Sequence, residues 1–353
     1  MKQTKPLYLV DFLKVFAALL IILHHLSSYG QIAEDARRVL PGLMTWLFEY
    51  GRYAVQIFLV MAGYLAAQSL SRYANAKFSV SSLLKLLLNR YLRLFAPYVV
   101  ALIFTIMCAS IARLWVNDEF VGQSETLEQF LAHLFFIQSI LDLDSISAGV
   151  WYVAIDWQLY AVLAIFFVSF PSYQALIWLI SIVAVSSLLF FNRSADFEAY
   201  FIYFIGSYGL GVLAYLAGRM QDVGIRRLAK VALISIGFII AAASFQQLWL
   251  RNFLAWFVAL ALYLWGDTPY PQVNSQGVFT RMIAWGSQRS YSAFLIHFAF
   301  ILLANTIYIA SGLHLHEGGA IAIVLMLGVV ITSVIAANYV YRWIEVPANK
   351  LKV

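Results

Sequence analysis

The sequence predicts an all-α fold: a polytopic integral membrane bundle of about ten transmembrane helices, with both termini cytoplasmic. Three observations predict it. Of 353 residues, 63% are hydrophobic and only 11% charged, where a soluble domain carries about 25% charge. The apolar residues gather in runs of about 20, which lipid forces into helices because it offers backbone groups no partner. All seven prolines, at 6, 41, 97, 171, 269, 271 and 347, fall at or outside the ends of those runs, where a residue without an N–H is tolerated.

In order, the predicted spans are 7–29, 53–70, 97–116, 149–170, 174–191, 199–217, 229–245, 249–265, 290–311 and 319–341. Two further stretches read as helices that lie along the membrane. Val80–Ala96 sets Lys85, Arg90 and Arg93 among leucines and is expected to be a cationic interfacial helix. Leu127–Leu141 is a shorter amphipathic stretch for the opposite face. Gly266–Gln288 reads as the longest loop. No soluble domain and no 20–50-residue repeat interrupts the pattern, so one transmembrane domain over 1–353 is expected.

Basic residues set the orientation. Arg37, Arg38, Arg52, Arg113, Arg193 and Arg251 fall on one side and Lys14 inside a span, while the other sixteen of the 23 Lys and Arg share the side of the termini. That bias marks the terminal side as cytoplasmic in a plasma membrane. It also accounts for the net charge of +6 without nucleic acid as a partner. The single cysteine, Cys108, excludes an intramolecular disulfide, and the first run is too long for a cleaved signal peptide.

The first span carries Asp11, Lys14, His24 and His25 where lipid tolerates few such groups. At 100° per residue Lys14 and His25 return to within about 20° of one face, with Asp11 about 40° to the other side of His25 and His24 roughly 100° away. Lys14 and His25 are then about 16 Å apart along the axis. Asp11 and Lys14 also suit a plain i,i+3 pair at the interface. His25 has no such escape to water. A neutral imidazole takes a hydroxyl proton and returns it, as acyl transfer to an alcohol requires.

Other motifs have plain readings beside the functional ones. Arg90 and Arg93, one turn apart, suit a phosphate clamp or ordinary anchoring to anionic lipid. Trp151, Trp157 and Tyr160 suit an aromatic belt, but Asp156 among them sits too deep for one. Ser290-Tyr291-Ser-Ala-Phe-Leu-Ile-His297 adds a third intramembrane histidine, a residue more often packed than catalytic. Glu345-Val-Pro347 reads as a helix end.

Together and in order, these pieces resemble the membrane-bound acyltransferase-3 family. The matching residues are Asp11-Phe-Leu-Lys14…His24-His25, Ile57-Phe-Leu-Val-Met-Ala-Gly63, Arg90-Tyr-Leu-Arg93…Pro97, Trp151-Tyr…Asp156…Tyr160, Gly286…Ser290-Tyr-Ser…His297 and Ile344-Glu-Val-Pro347. The resemblance implies an enzyme that moves an acyl group, usually acetyl, from cytoplasmic acyl-CoA to a hydroxyl of a surface or secreted glycan. It implies His25 as base or transient acyl acceptor, and Arg90 and Arg93, with Lys14, as holders of the donor's phosphates. Asp156 or Asp11 is expected to fix the His25 tautomer. His24, Trp151, Tyr160, Ser290, Tyr291 and His297 are expected around the substrate. No metal is expected; the partners expected are membrane lipid, the glycan acceptor and polysaccharide-assembly proteins. Lys14 stands where the family has arginine, Asp156 where it has glutamate and Ala62 where it has serine. The alternative from another class is an exporter of a lipid-linked or secreted glycan, whose permeation path the same polar stripe would line.

Overall fold

The computed structural model describes residues 7–73, 80–170, 172–271, 277–315 and 319–351. Lys2, Lys5, Pro6, Lys77, Pro171 and Lys352, used above for orientation and boundaries, lie outside them. Among the described residues there is no β-strand, and nine helical segments are long and apolar enough to cross a membrane, with one shorter apolar helix.

The chain runs α1 (Tyr8–Leu26), α2 (Gly30–Val39), α3 (Pro41–Tyr50), α4 (Ala54–Leu70), α5 (Val80–Trp115), α6 (Leu127–Leu134) and α7 (Trp151–Ser169). It continues with α8 (Tyr173–Leu189), α9 (Phe201–Arg219), α10 (Val223–Ser244), α11 (Leu250–Trp265), α12 (Val278–Ala310) and α13 (Gly319–Val340). The nine long segments are α1, α3 with α4, α5, α7 to α10, α12 and α13, and the shorter apolar helix α11 lies among them. Successive crossings alternate in direction, so the bundle has a terminal end and a distal end. Asp11 and Asn349 line one cavity at the terminal end. The C-terminus of α1 and the N-termini of α7, α9 and α11 meet at the distal end.

Several boundaries differ from the sequence expectation. The interfacial helix expected over Val80–Ala96 is the first half of α5, which runs unbroken through Pro97 to Trp115. Pro97 deletes one hydrogen bond, to the Arg93 carbonyl, and the leucine-rich rows on either side pack well enough to carry the helix past it. At 36 residues α5 is about 54 Å long, nearly twice the hydrocarbon thickness. Similarly, the expected loop Gly266–Gln288 is a loop only at its start, because α12 begins at Val278. The expected stretch Leu127–Leu141 is helical only to Leu134, where a Thr126/Gln129 capping box had opened it.

The centre of the bundle is α9, fourteen of whose nineteen residues are buried. Hydrophobicity does not drive helices together in lipid; small residues that let backbones touch do. A Cβ at Gly63 of α4 would lie 2.0 Å from the Tyr208 carbonyl oxygen, and one at Gly211 of α9 would lie 1.9 Å from that of Val60. Ser207 adds a 2.5 Å hydrogen bond to Gln56 across the same seam. Gly211→Val should therefore cost roughly 2 kcal/mol or more, read as a lower thermal midpoint of the detergent-solubilised protein. Gly328→Ala, where nothing lies within 4 Å, should leave the midpoint unchanged or slightly raised.

Candidate functional site

Two polar sites lie at opposite ends of α1. At the distal end the helix delivers His25, 8% exposed, against the fully buried His297 of α12. The rings stack at 5.0 Å between centroids, and His25 Nδ1 lies 2.7 Å from His297 Nε2. The carbonyl of Phe294 lies 2.7 Å from His297 Nδ1. A carbonyl only accepts, so His297 Nδ1 carries the proton and its Nε2 is the lone pair. That lone pair must accept from His25 Nδ1–H. His25 Nε2 is thereby left unprotonated, and no hydrogen bond occupies it among the described residues. Gly149, at φ 89°, passes over this ring just before α7; a Cβ there would lie 3.5 Å from His25 Cε1 and 3.0 Å from Phe294 Cζ.

At the terminal end a cavity of about 520 Å³ is lined by Asp11, Lys14, Arg93, Tyr270, Ser290, Tyr291 and Glu345 among others. Lys14 pairs with Asp11 at 3.2 Å, and the Tyr270 hydroxyl donates to the other oxygen of Asp11 at 3.0 Å. Burial and then the Asp11 charge push the Tyr270 phenol above its usual range, which keeps it a donor. The tyrosine arrives because the segment after α11 docks on the start of α1, with Tyr8 N–H donating to the Thr268 carbonyl at 3.0 Å. Opposite, one π-helical turn (Tyr341–Glu345) follows α13 and presents Glu345 to the Ser292 hydroxyl at 2.8 Å. Both acids are thus engaged. Arg93 is exposed and makes no hydrogen bond or ion pair among the described residues.

The structure sorts the sequence-predicted residues into separate groups. Asp11, Lys14, Arg93, Ser290 and Tyr291 share the terminal cavity. His25 and His297 share the distal site. Arg90 does not join Arg93 on the cavity wall; it turns inward to Asp156 at 2.5 Å, with its guanidinium 5.1 Å from the Tyr160 ring centre. Asp156 is accordingly committed to Arg90 and Asp11 to Lys14 and Tyr270, so neither fixes the His25 tautomer. A carboxylate this deep is held by the nearest cation. His24 points elsewhere, its Nδ1 3.0 Å from the Leu47 carbonyl of α3, and Trp151 packs on Phe204 at 5.4 Å.

Sequence reasoning gave no site role to Glu345 and Ser292, though both stand in the motifs quoted, and missed Tyr270 and Gly149. Glu345 beside Pro347 carried a signal that a helix-end reading absorbed. Tyr270 stood two residues from the docking carbonyl with no periodicity to betray it. Chemically, the distal site offers a neutral nitrogen lone pair held in one orientation. The terminal site offers an unengaged guanidinium and an ammonium to an anionic ligand.

Comparison with curated proteins and with solved structures gives no match. The model of a family described as an acyltransferase domain matches residues 7–339, nearly the whole chain. With its bundle of long apolar helices and a buried histidine in the last turn of the first of them, the chain belongs to the membrane acyltransferase-3 family.

Proposed function

We propose that this membrane acyltransferase moves an acyl group, acetyl first among candidates, from acyl-CoA at the terminal, cytoplasmic end to a glycan hydroxyl at the distal, outer end of a plasma-membrane bundle. The observation that carries the reading is the His25–His297 pair, in which one ring's Nε2 is kept unprotonated and unoccupied by the other. Lys14 and Arg93 suit the donor's phosphates at the cavity. Lys14 and His25 are about 16 Å apart along α1, a span that an extended pantetheine arm matches. Membership of an acyltransferase family favours acyl transfer over the exporter considered from sequence.

In the proposed reaction His25 Nε2 removes the proton of the acceptor hydroxyl as its oxygen attacks the thioester carbonyl. A new C–O ester bond forms, the C–S bond breaks, and the proton passes through His25 to the departing thiolate. His297 keeps the His25 ring in the productive tautomer, the part a carboxylate or carbonyl commonly plays behind a working histidine.

Membranes carrying the protein, given radiolabelled acetyl-CoA and the host's glycan, should transfer label. His25→Ala should abolish transfer while the thermal midpoint stays near the parent's; full activity refutes the role. His297→Ala should cut kcat by about 10–100-fold. His297→Gln, whose amide nitrogen donates and whose oxygen accepts, should recover part of that loss. Arg93→Ala should raise the KM for acetyl-CoA about tenfold or more with kcat little changed; an unaltered KM removes Arg93 from the donor site.

A further inference from the structure

The terminal cavity is lined by two cations, Lys14 and Arg93, and two carboxylates, Asp11 and Glu345. The acyl-transfer reading uses only the cations. Most of the other polar lining is already satisfied. Asp11 accepts from Lys14 on one oxygen and from Tyr270 on the other. The hydroxyls of Ser287, Ser290 and Tyr291 donate to the carbonyls of Ala284, Ser287 and Leu94. Glu345 differs, because it accepts from Ser292 through Oε2 alone. Its Oε1 makes no hydrogen bond among the described residues. That oxygen is not among the unpartnered atoms sealed in the interior, so it stands open to the cavity that Glu345 lines.

A carboxylate that is only 8% exposed needs donors in place of the water it has lost. Arg93 lines the same cavity, yet no ion pair joins it to Glu345 among the described residues. An acid and a base held apart in one cavity are set to meet different parts of one ligand. The guanidinium suits an anion, and the open carboxylate oxygen suits a group with a proton to donate.

The level of Glu345 in the bundle says which part of the ligand that is. Val15 of α1 faces Gly286 of α12, where a Cβ would lie 3.0 Å from the valine. Lys14 is therefore level with that turn of α12. Ser292 follows Gly286 by six positions and His297 follows Ser292 by five, which is about 9 Å and then about 7.5 Å of helix rise. Glu345, held at 2.8 Å from Ser292, thus stands at an intermediate level between the Lys14 ammonium and the histidine pair. In an acyl-CoA the phosphates and the thioester are joined by the pantetheine arm, whose N–H groups are its two amides. With the phosphates at Lys14 and Arg93 and the thioester at His25, the arm passes the level of Glu345.

We infer that Glu345 Oε1 accepts a hydrogen bond from an amide N–H of the donor's pantetheine arm, which makes this residue a determinant of donor specificity. The inference rests on the donor reading above. Its test uses the purified full-length protein in phosphatidylcholine nanodiscs, titrated calorimetrically with coenzyme A, 4′-phosphopantetheine and adenosine 3′,5′-bisphosphate. The second ligand carries the amides and the third has none. Glu345→Ala should weaken coenzyme A and phosphopantetheine about tenfold or more and leave the bisphosphate within twofold of the parent. Glu345→Gln keeps the shape and a neutral acceptor, so it should lose only about threefold for phosphopantetheine. Ser292→Ala removes the hydroxyl but spares the carboxylate, and it should bind phosphopantetheine nearly as the parent does. A Glu345→Ala variant that binds phosphopantetheine like the parent, or that loses the bisphosphate equally, overturns the assignment. So does a Ser292→Ala variant as impaired as Glu345→Ala, which would reduce Glu345 to a tie between the π-helical turn and α12. Failure of the parent to bind coenzyme A removes the donor reading and this inference together, whereas coenzyme A binding indifferent to Glu345 removes this inference alone.

Discussion

The hydrogen bond from His25 Nδ1 to His297 Nε2 is the constraint on which the rest of this molecule turns. It joins the first crossing helix to the twelfth helix across 272 positions of chain. It also settles a chemical question that a lone imidazole leaves open, namely which nitrogen is basic. The Phe294 carbonyl begins the sequence of donors and acceptors, and each subsequent proton position follows from it. Buried in the protein, the pair has no ready water, so breaking it would leave the His25 Nδ1–H and the His297 Nε2 lone pair unsatisfied.

The remaining polar groups obey the same pressure. Each deep acid has found a donor: Asp156 has Arg90, Asp11 has Lys14 and Tyr270, and Glu345 has Ser292. The groups left unengaged are then informative. Arg93 faces the terminal cavity with no partner among the described residues.

Much of this was legible in the sequence because helix geometry is local. The angle between His24 and His25 on α1 was enough to send the first toward a neighbouring helix and the second toward the interior. Their partners, Leu47 and His297, agree with that division. The partner's identity was not legible, since nothing in a span records which face of a helix hundreds of positions away will meet it. Arg90 and Arg93 illustrate the same limit. Three residues apart, they point about 60° from each other, and only the arrival of α7 beside one of them separates a buried ion pair from a cavity wall. Pro97 misled for a different reason, because one deleted hydrogen bond is a small loss inside a helix of this length.

The π-helical turn at Tyr341–Glu345 has a bearing beyond the hydrogen bond it permits. One surplus residue in a helix rotates everything after it by about 100°, and that rotation is what aims the carboxylate inward. The feature is a matter of chain arithmetic, not of side-chain identity. Point substitutions around it leave the aim intact, whereas relatives shortened by a single residue there would show the membrane their acid and the cavity an aliphatic neighbour. Chain length at this turn thus decides what the cavity is lined with as much as side-chain identity does.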